Sequence, residues 1–229
     1  VYDAEDGRWT RRDPLGYVDG MGLYEYCRNR PYEARDAMGL RCGGSVRVGN
    51  RDVPWEPDTD PADCTNPNNE NTCYCKCKAD QDSGTNAGGI SFFDEKTGTW
   101  RICICLGVLK TFYDDFLKTF QYPEAFNILI DCIIKHEARH TTQGPMSKIC
   151  GEYDAMLEER ACYLKAFGQC PSQPCKSAVA EMIRSLDDSL QVVGEACKLE
   201  RLLRRSLPPS LRPKFPQVYP LDDPRRDPF

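Results

Sequence analysis

Histidine is nearly absent from this sequence, whose 229 residues include only His136 and His140. With so few imidazoles, zinc-finger patterns of the Cys2His2 and Cys3His types are mostly unavailable. No apolar run reaches the roughly 18 to 20 residues that a membrane helix needs, so no membrane span is predicted. Positive charge is also scarce, because 30 basic residues face 35 acidic ones and give a net charge of −5. An acidic chain lacks the basic face that binds phosphates, so nucleic acid is not an expected partner.

Cysteine, in contrast, is abundant. The fourteen cysteines are Cys27, Cys42, Cys64, Cys73, Cys75, Cys77, Cys103, Cys105, Cys132, Cys150, Cys162, Cys170, Cys175 and Cys197. This density favours a disulfide framework in a secreted or exported domain. Buried free thiols are the alternative, and a thiolate metal cluster around residues 73–77 is a minor one. The sequence does not determine which cysteines pair.

The first half of the chain predicts short strands and loops. Residues 1–40 carry aromatic residues and turn dipeptides without a helical period, which indicates short strands and turns. Residues 41–72 are rich in Pro, Asn and Asp, and we expect them to form loops. In residues 73–77 the cysteines alternate, which fits one face of a strand.

A β-hairpin is the clearest sheet signal. Residues 90–94 and 99–105 have strand character, and they flank Glu95-Lys96-Thr97-Gly98, a typical turn sequence. Cys103 and Cys105 would share one face of the second strand, where disulfides to residues 73–77 are plausible.

From Leu106 onward the apolar residues recur at helical spacing. Helices are predicted at about 106–121, 124–142, 147–167 and 177–205. The last is expected to turn a stripe toward the core, namely Val179, Met182, Leu186, Leu190, Val193, Cys197 and Leu202. Seven prolines within 207–229 predict an extended or disordered tail.

The second helix contains the sequence His136-Glu137-Ala138-Arg139-His140. Positions 136 and 140 are one turn apart, so both imidazoles project from one face and can share one metal ion. Glu137 follows the first histidine, which places a general base beside a coordinated water. The pattern predicts a zinc metallopeptidase site with His136 and His140 as ligands and Glu137 as the catalytic base.

A third protein ligand is expected, because catalytic zinc usually has three. With no histidine left, it must be a carboxylate, a cysteine or a tyrosine, and Cys150 is near enough in sequence to compete. The third helix offers Glu152 and Glu159 on its inward face. Gly144-Pro145 breaks the chain, so an antiparallel helical hairpin would place Glu152 opposite the histidines.

Glu159 is the competing third ligand. In the hairpin it would lie about 10 Å further along the helix, but its spacing from His140 resembles that of the gluzincin aminopeptidases. Residues 152–155, Glu-Tyr-Asp-Ala, resemble the Glu-x-x-Ala of several HExxH toxin families. We predict that Glu152 is the ligand and that Glu159 supports a histidine or bonds an arginine.

An electrophile for the oxyanion is a further requirement of the peptidase hypothesis. Tyr153, Tyr163 and Arg139 are candidates by proximity alone. The hairpin at residues 90–105 would supply an edge strand on which an extended peptide pairs, as in the general zincin arrangement.

Residues 1–40 resemble the end of the core domain of RHS-repeat proteins. Residues 2–16 read Tyr-Asp-Ala-Glu-Asp-Gly-Arg-Trp-Thr-Arg-Arg-Asp-Pro-Leu-Gly, and residues 23–31 read Leu-Tyr-Glu-Tyr-Cys-Arg-Asn-Arg-Pro. Residues 36–40, Asp-Ala-Met-Gly-Leu, resemble the terminal Asp-Pro-x-Gly-Leu of that family, with Ala37 in place of proline.

The resemblance implies a toxin wrapped by a β-cocoon and released when the core cuts its own chain. The cut would fall between Leu40 and Arg41, and Asp13 and Asp36 match the catalytic aspartates. Two carboxylates that share a proton suit such a cleavage, since one acts as base and the other as acid. The upstream arginine of the family would precede Val1, so we do not expect these 229 residues to cut themselves.

The combined prediction is an α+β chain with three parts. The end of an RHS core, residues 1–40, precedes a cysteine-rich, mainly helical, zincin-like domain at 41–206 with a small β-hairpin or sheet. The tail follows at 207–229. The expected function is a zinc-dependent endopeptidase that is secreted or delivered into a target cell as a toxin. Its partners would be a protein or peptide substrate, a cognate immunity protein and the RHS cocoon of the parent chain.

Two other classes of function compete with the peptidase. One is a binding or adhesion tip in which a metal ion or disulfides have only a structural role. The other is a metal-dependent hydrolase of a different amide or ester. Glu137 argues against the first, because a structural metal site has no need for a base at that position.

Overall fold

The computed structural model describes residues 2–3, 8–9, 43–58, 62–109, 111, 125–143 and 148–206. Several sequence predictions fall outside these residues. They concern Asp13, Asp36, the cleavage point between Leu40 and Arg41, most of the helix at 106–121, the break at Gly144-Pro145 and the tail at 207–229.

A four-stranded sheet forms the first layer of the domain. Its strands are β3 (Gly44–Val48), β4 (Arg51–Pro57), β5 (Gly89–Asp94) and β6 (Thr99–Ile104), in the spatial order β3-β4-β6-β5. The predicted hairpin is confirmed, with β5 and β6 antiparallel and Ile90 opposite Cys103. Two short strands, β1 (Tyr2–Asp3) and β2 (Arg8–Trp9), pair separately within the segment that was expected to form short strands.

The expectation of loops throughout residues 41–72 is wrong. β3 and β4 form an antiparallel hairpin that turns at Gly49 and buries Val46, Val53 and Trp55. β4 also pairs in parallel with β6, more than forty residues further along the chain. Two prolines within β4 conceal this strand from local propensity, and its partner in β6 is too distant in sequence to be recognised.

The strand interpretation of residues 73–77 is also wrong, because Cys73–Asp82 forms helix α1. The Thr72 hydroxyl caps it by accepting from the Cys75 amide. Helical spacing puts Cys73 and Cys77 on one face, where they form disulfides with Cys103 and Cys105. Disulfides therefore join residues 73–77 to Cys103 and Cys105 as expected, although residues 73–77 form a helix and not a strand.

All twelve cysteines in the described residues form disulfides. The six pairs are Cys64–Cys75, Cys73–Cys103, Cys77–Cys105, Cys132–Cys162, Cys150–Cys197 and Cys170–Cys175. The free-thiol and thiolate-cluster alternatives are therefore wrong for these residues. Such a disulfide density fits an extracellular or secreted protein.

Three long helices form the second layer. They are α2 (Ala125–His140), α3 (Lys148–Gln169) and α4 (Gln173–Ser206), close to the predicted bounds. One side of α2 packs on the sheet and the other on α3 and α4. The stripe predicted on α4 is confirmed for its most buried members, Val179, Met182, Leu190 and Cys197, whereas Leu202 is exposed. Among the described residues, none of the helices combines the length and apolarity of a membrane span.

The disulfide Cys132–Cys162 makes a testable contribution to this layer. It closes a loop of 30 residues between α2 and α3, whereas Cys170–Cys175 closes one of 5. Loop-closure entropy predicts that replacing both cysteines of the first pair with alanine lowers the free energy of unfolding by about 3 to 4 kcal/mol. The matched change at Cys170 and Cys175 should cost about 2 kcal/mol. Denaturant titration checks this, and an equal or larger loss at the short loop would contradict it.

Candidate metal centre

Helix α2 brings both imidazoles to one point. Its apolar face buries Phe126, Ile130 and Ile134, and this packing fixes the rotation of the helix. His136 and His140 therefore both face α3, and their Nε2 atoms lie 3.2 Å apart. The face of α2 that carries the motif is thus positioned by its core residues.

Glu152 on α3 lies opposite both rings. Its two carboxylate oxygens lie 3.2 Å from Nε2 of His136 and 3.3 Å from Nε2 of His140. The side chains of His136, His140 and Glu152 form a group that could hold a metal ion. In a tetrahedral zinc site with bonds of about 2.0–2.1 Å, neighbouring ligand atoms are about 3.3 Å apart. The two Nε2 atoms are separated by about that length, and each lies about as far from one Glu152 oxygen, so the donor set is compatible with zinc.

Glu159 occupies a different position. Its carboxylate lies 2.9 Å from Nδ1 of His136, the ring nitrogen that faces away from His140. The buried Tyr163 hydroxyl donates to the other Glu159 oxygen at 3.0 Å. Glu159 thus contacts the Nδ1 edge of one imidazole, whereas Glu152 faces the Nε2 edges of both. Helices α2 and α3 run antiparallel, as expected, since Cys132 joins Cys162 while His140 faces Glu152.

Gln143 is a site residue that sequence reasoning missed. Its amide oxygen lies 2.9 Å from Nδ1 of His140, and its amide nitrogen donates to the Gly151 carbonyl. Both imidazoles therefore have a polar partner on Nδ1 and direct Nε2 toward the common point. No sequence pattern identifies Gln143, because a glutamine three residues after His140 is not part of a known metal-site motif.

The charges of the site are strongly coupled. Burial lowers the pKa of His136, but hydrogen bonds to Glu152 and Glu159 and nearby negative charge outweigh it and raise that pKa to about 10. The pKa of His140 is raised as well, against the effect of burial, chiefly through its hydrogen bond to Glu152. Hydrogen bonds from the two imidazoles hold the pKa of Glu152 well below its usual range. The surrounding carboxylates therefore stabilise positive charge on the two imidazoles.

Glu137 is buried beside the cluster, with 7% of its surface exposed. Burial raises the pKa of its carboxyl group, while the two imidazoles and a hydrogen bond with Ser91 oppose that rise. Strand β5 approaches so closely that a Cβ at Gly89 would lie 2.8 Å from Cγ of Glu137. The glycine is therefore needed for Glu137 to fit under the edge of the sheet.

The three residues considered for the oxyanion lie in different surroundings. Tyr163 donates to Glu159. Arg139 forms an ion pair with Asp154 at 3.7 Å, and the Tyr153 ring lies close to Gly194 of α4. Each side chain thus has a structural contact, and the structure assigns none of them to an oxyanion.

The cluster opens into a cavity of about 1340 Å³. Gly88–Ser91 form one wall, while His136, Glu137, His140 and Glu152 lie along another. Beyond the histidines the lining becomes apolar, with residues from α2 and α4 that include Leu129, Ile133, Met182 and Leu186. The cavity is therefore large enough for several residues of a peptide and borders both the cluster and Glu137.

Comparisons of this chain with models of known protein families, with curated proteins and with solved structures find no match.

The raised pKa values of the imidazoles lead to a prediction about zinc binding. Zinc requires neutral imidazoles, so it must displace the proton that His136, with its pKa raised to about 10, holds at neutral pH. We expect binding at about pH 7 to release protons, and the apparent affinity to rise from about pH 6 to about pH 9. Calorimetry in buffers of different ionisation enthalpy measures the release.

Glu159→Gln provides the control for that titration. The substitution removes the negative charge of Glu159 beside Nδ1 of His136. Zinc binding should therefore release fewer protons than in the wild type. A binding heat that does not depend on the buffer would contradict the expectation.

Proposed function

We propose that this chain is a zinc-dependent peptidase with His136, His140 and Glu152 as metal ligands. The observation that carries the proposal is the arrangement of the two imidazoles. In each ring, Nε2 lies 3.2 or 3.3 Å from an oxygen of Glu152. Nδ1 of His136 contacts Glu159, and Nδ1 of His140 contacts Gln143, which orients both rings. When bound, zinc lowers the pKa of a coordinated water to about 7 and polarises a carbonyl group.

Glu137 is the proposed general base. It lies next to His136 in sequence, lines the same cavity as the cluster, and is held under β5 by Ser91. A buried carboxylate with a raised pKa is suited to take a proton from the attacking water and to pass it to the leaving amine. A site with only a structural role would not require such a group, which favours the peptidase over the adhesion alternative.

The edge of the sheet supports a peptide substrate over other amides and esters. β5 is the last strand of the sheet in the described residues. The Gly88 carbonyl accepts from the Cys105 amide on the β6 side. Because bonding alternates along an antiparallel strand, the backbone groups of Gly89 and Ser91 point away from β6. An extended peptide that pairs there would pass alongside Glu137.

The effector role belongs to the same proposal and rests on sequence resemblance. The RHS-like segment at residues 1–40 precedes the domain, and the disulfides fit a secreted protein. We propose that the domain is delivered into a target cell, that the RHS cocoon of the parent chain holds it beforehand, and that an immunity protein protects the producer.

Replacement of Glu137 tests the peptidase proposal. In the 229-residue chain, Glu137→Gln should retain zinc and lower the rate of cleavage of a denatured protein by roughly 10²- to 10⁴-fold, because the base is lost and the ligands remain. The exposed Glu158 on α3 offers a matched control, and Glu158→Gln should leave both zinc content and rate unchanged.

Other outcomes separate the competing functions. Zinc binding without cleavage of any protein, in a wild-type chain that is fully folded, would favour a structural metal site. Cleavage of small amides or esters alone would favour a different hydrolase. A Glu137→Gln variant with the full proteolytic rate would contradict the proposal.

A further inference from the structure

Gln143 contacts both halves of the metal centre. It follows α2 by three residues, and its amide oxygen lies 2.9 Å from Nδ1 of His140. Its amide nitrogen donates to the carbonyl of Gly151 on α3. Since Gly151 directly precedes Glu152, this one side chain links the ring of one ligand to the backbone that carries another.

The orientation of the Gln143 amide determines the tautomer of His140. A backbone carbonyl only accepts hydrogen bonds, so the group facing Gly151 must be the NH2 of Gln143. The amide oxygen then faces Nδ1 of His140, which must donate to it. With the proton on Nδ1, the lone pair of a neutral ring is on Nε2, the nitrogen that faces His136 and Glu152.

The contact also explains why position 151 is a glycine. A Cβ at Gly151 would lie 2.6 Å from the Gln143 oxygen and 3.3 Å from its amide carbon. Any larger residue would therefore push the amide off the ring. This requirement is independent of helix formation, since glycine is unfavourable inside a helix.

We propose that Gln143 is a positioning residue that holds His140 in the tautomer that ligates a cation through Nε2 and fixes Glu152 relative to that ring. This inference rests on the proposed zinc site. Gln143 does for His140 what Glu159 does for His136, but with a neutral group. The centre thus gains orientation at the second histidine without a further negative charge.

Zinc affinity measured by chelator competition tests the inference on the full 229-residue chain. Gln143→Ala should weaken binding roughly 10- to 100-fold, the usual cost of losing a group that orients a ligand. Gly151→Ala should weaken it in the same direction by displacing the amide. Gln143→Glu should recover much of the loss, because a carboxylate still accepts from Nδ1, although it cannot donate to Gly151. Gln191→Ala, at an exposed position on α4, is the matched control and should bind as wild type.

The tautomer supplies a readout that a general structural role would not change. Nitrogen-15 spectra of the zinc-loaded wild type should show a protonated Nδ1 and a ligated Nε2 on His140. In Gln143→Ala the Nδ1 proton should exchange faster with water. This signal and the Gln143→Glu variant keep the test decisive if the alanine variant folds poorly.

The outcomes are distinguishable. Wild-type affinity and an unchanged His140 signal in Gln143→Ala and Gly151→Ala would overturn the inference about Gln143 and leave the zinc site intact. A folded wild-type chain that binds no zinc would overturn the proposed function, and this inference with it.

Discussion

The packing of α2 against α3 is the interaction on which the proposed metal centre depends. The disulfide Cys132–Cys162 fixes the two helices one turn before His136 and one turn after Glu159. It thereby sets the register that brings Glu152 opposite both imidazoles. Ligands that come from two helices must be held within a fraction of an ångström, and helices joined by a covalent bond near the site meet that demand better than a hairpin alone.

The centre also contains an electrostatic imbalance. Glu137 and Glu159 are largely buried beside the two imidazoles, Glu152 is partly exposed, and the charge of Glu152 makes ionisation of Glu137 harder. Buried carboxylates of this kind are stable only when paired. Protonated imidazoles pair with these carboxylates. A divalent cation bound between the two imidazoles would pair with the carboxylates instead, while both rings are neutral. In the proposed zinc site, the imidazoles must be neutral to bind the metal, whereas the carboxylates need a positive partner, and these two requirements would make zinc affinity depend on pH.

Much of the centre could be predicted from sequence because it is local. His136, Glu137 and His140 lie within five residues on a helix with a clear apolar period. The position of Glu152 opposite them could be predicted from two antiparallel helices, because the rise per residue of an α-helix is known. Gln143 could not be recognised, because its contact with the Gly151 carbonyl joins the end of α2 to α3 and leaves no local pattern in the sequence. The same limit applies to β4, whose partner in β6 is distant in sequence, and to α1, where alternating cysteines resemble a strand pattern.

Anomalous diffraction at the zinc absorption edge, from crystals of the zinc-loaded chain, tests the central claim most directly. We expect one anomalous peak about 2.0–2.2 Å from Nε2 of His136, Nε2 of His140 and a carboxylate oxygen of Glu152. Glu159 should remain on Nδ1 of His136. A peak ligated by Glu159 in place of Glu152, or no peak between the two histidines, would contradict it.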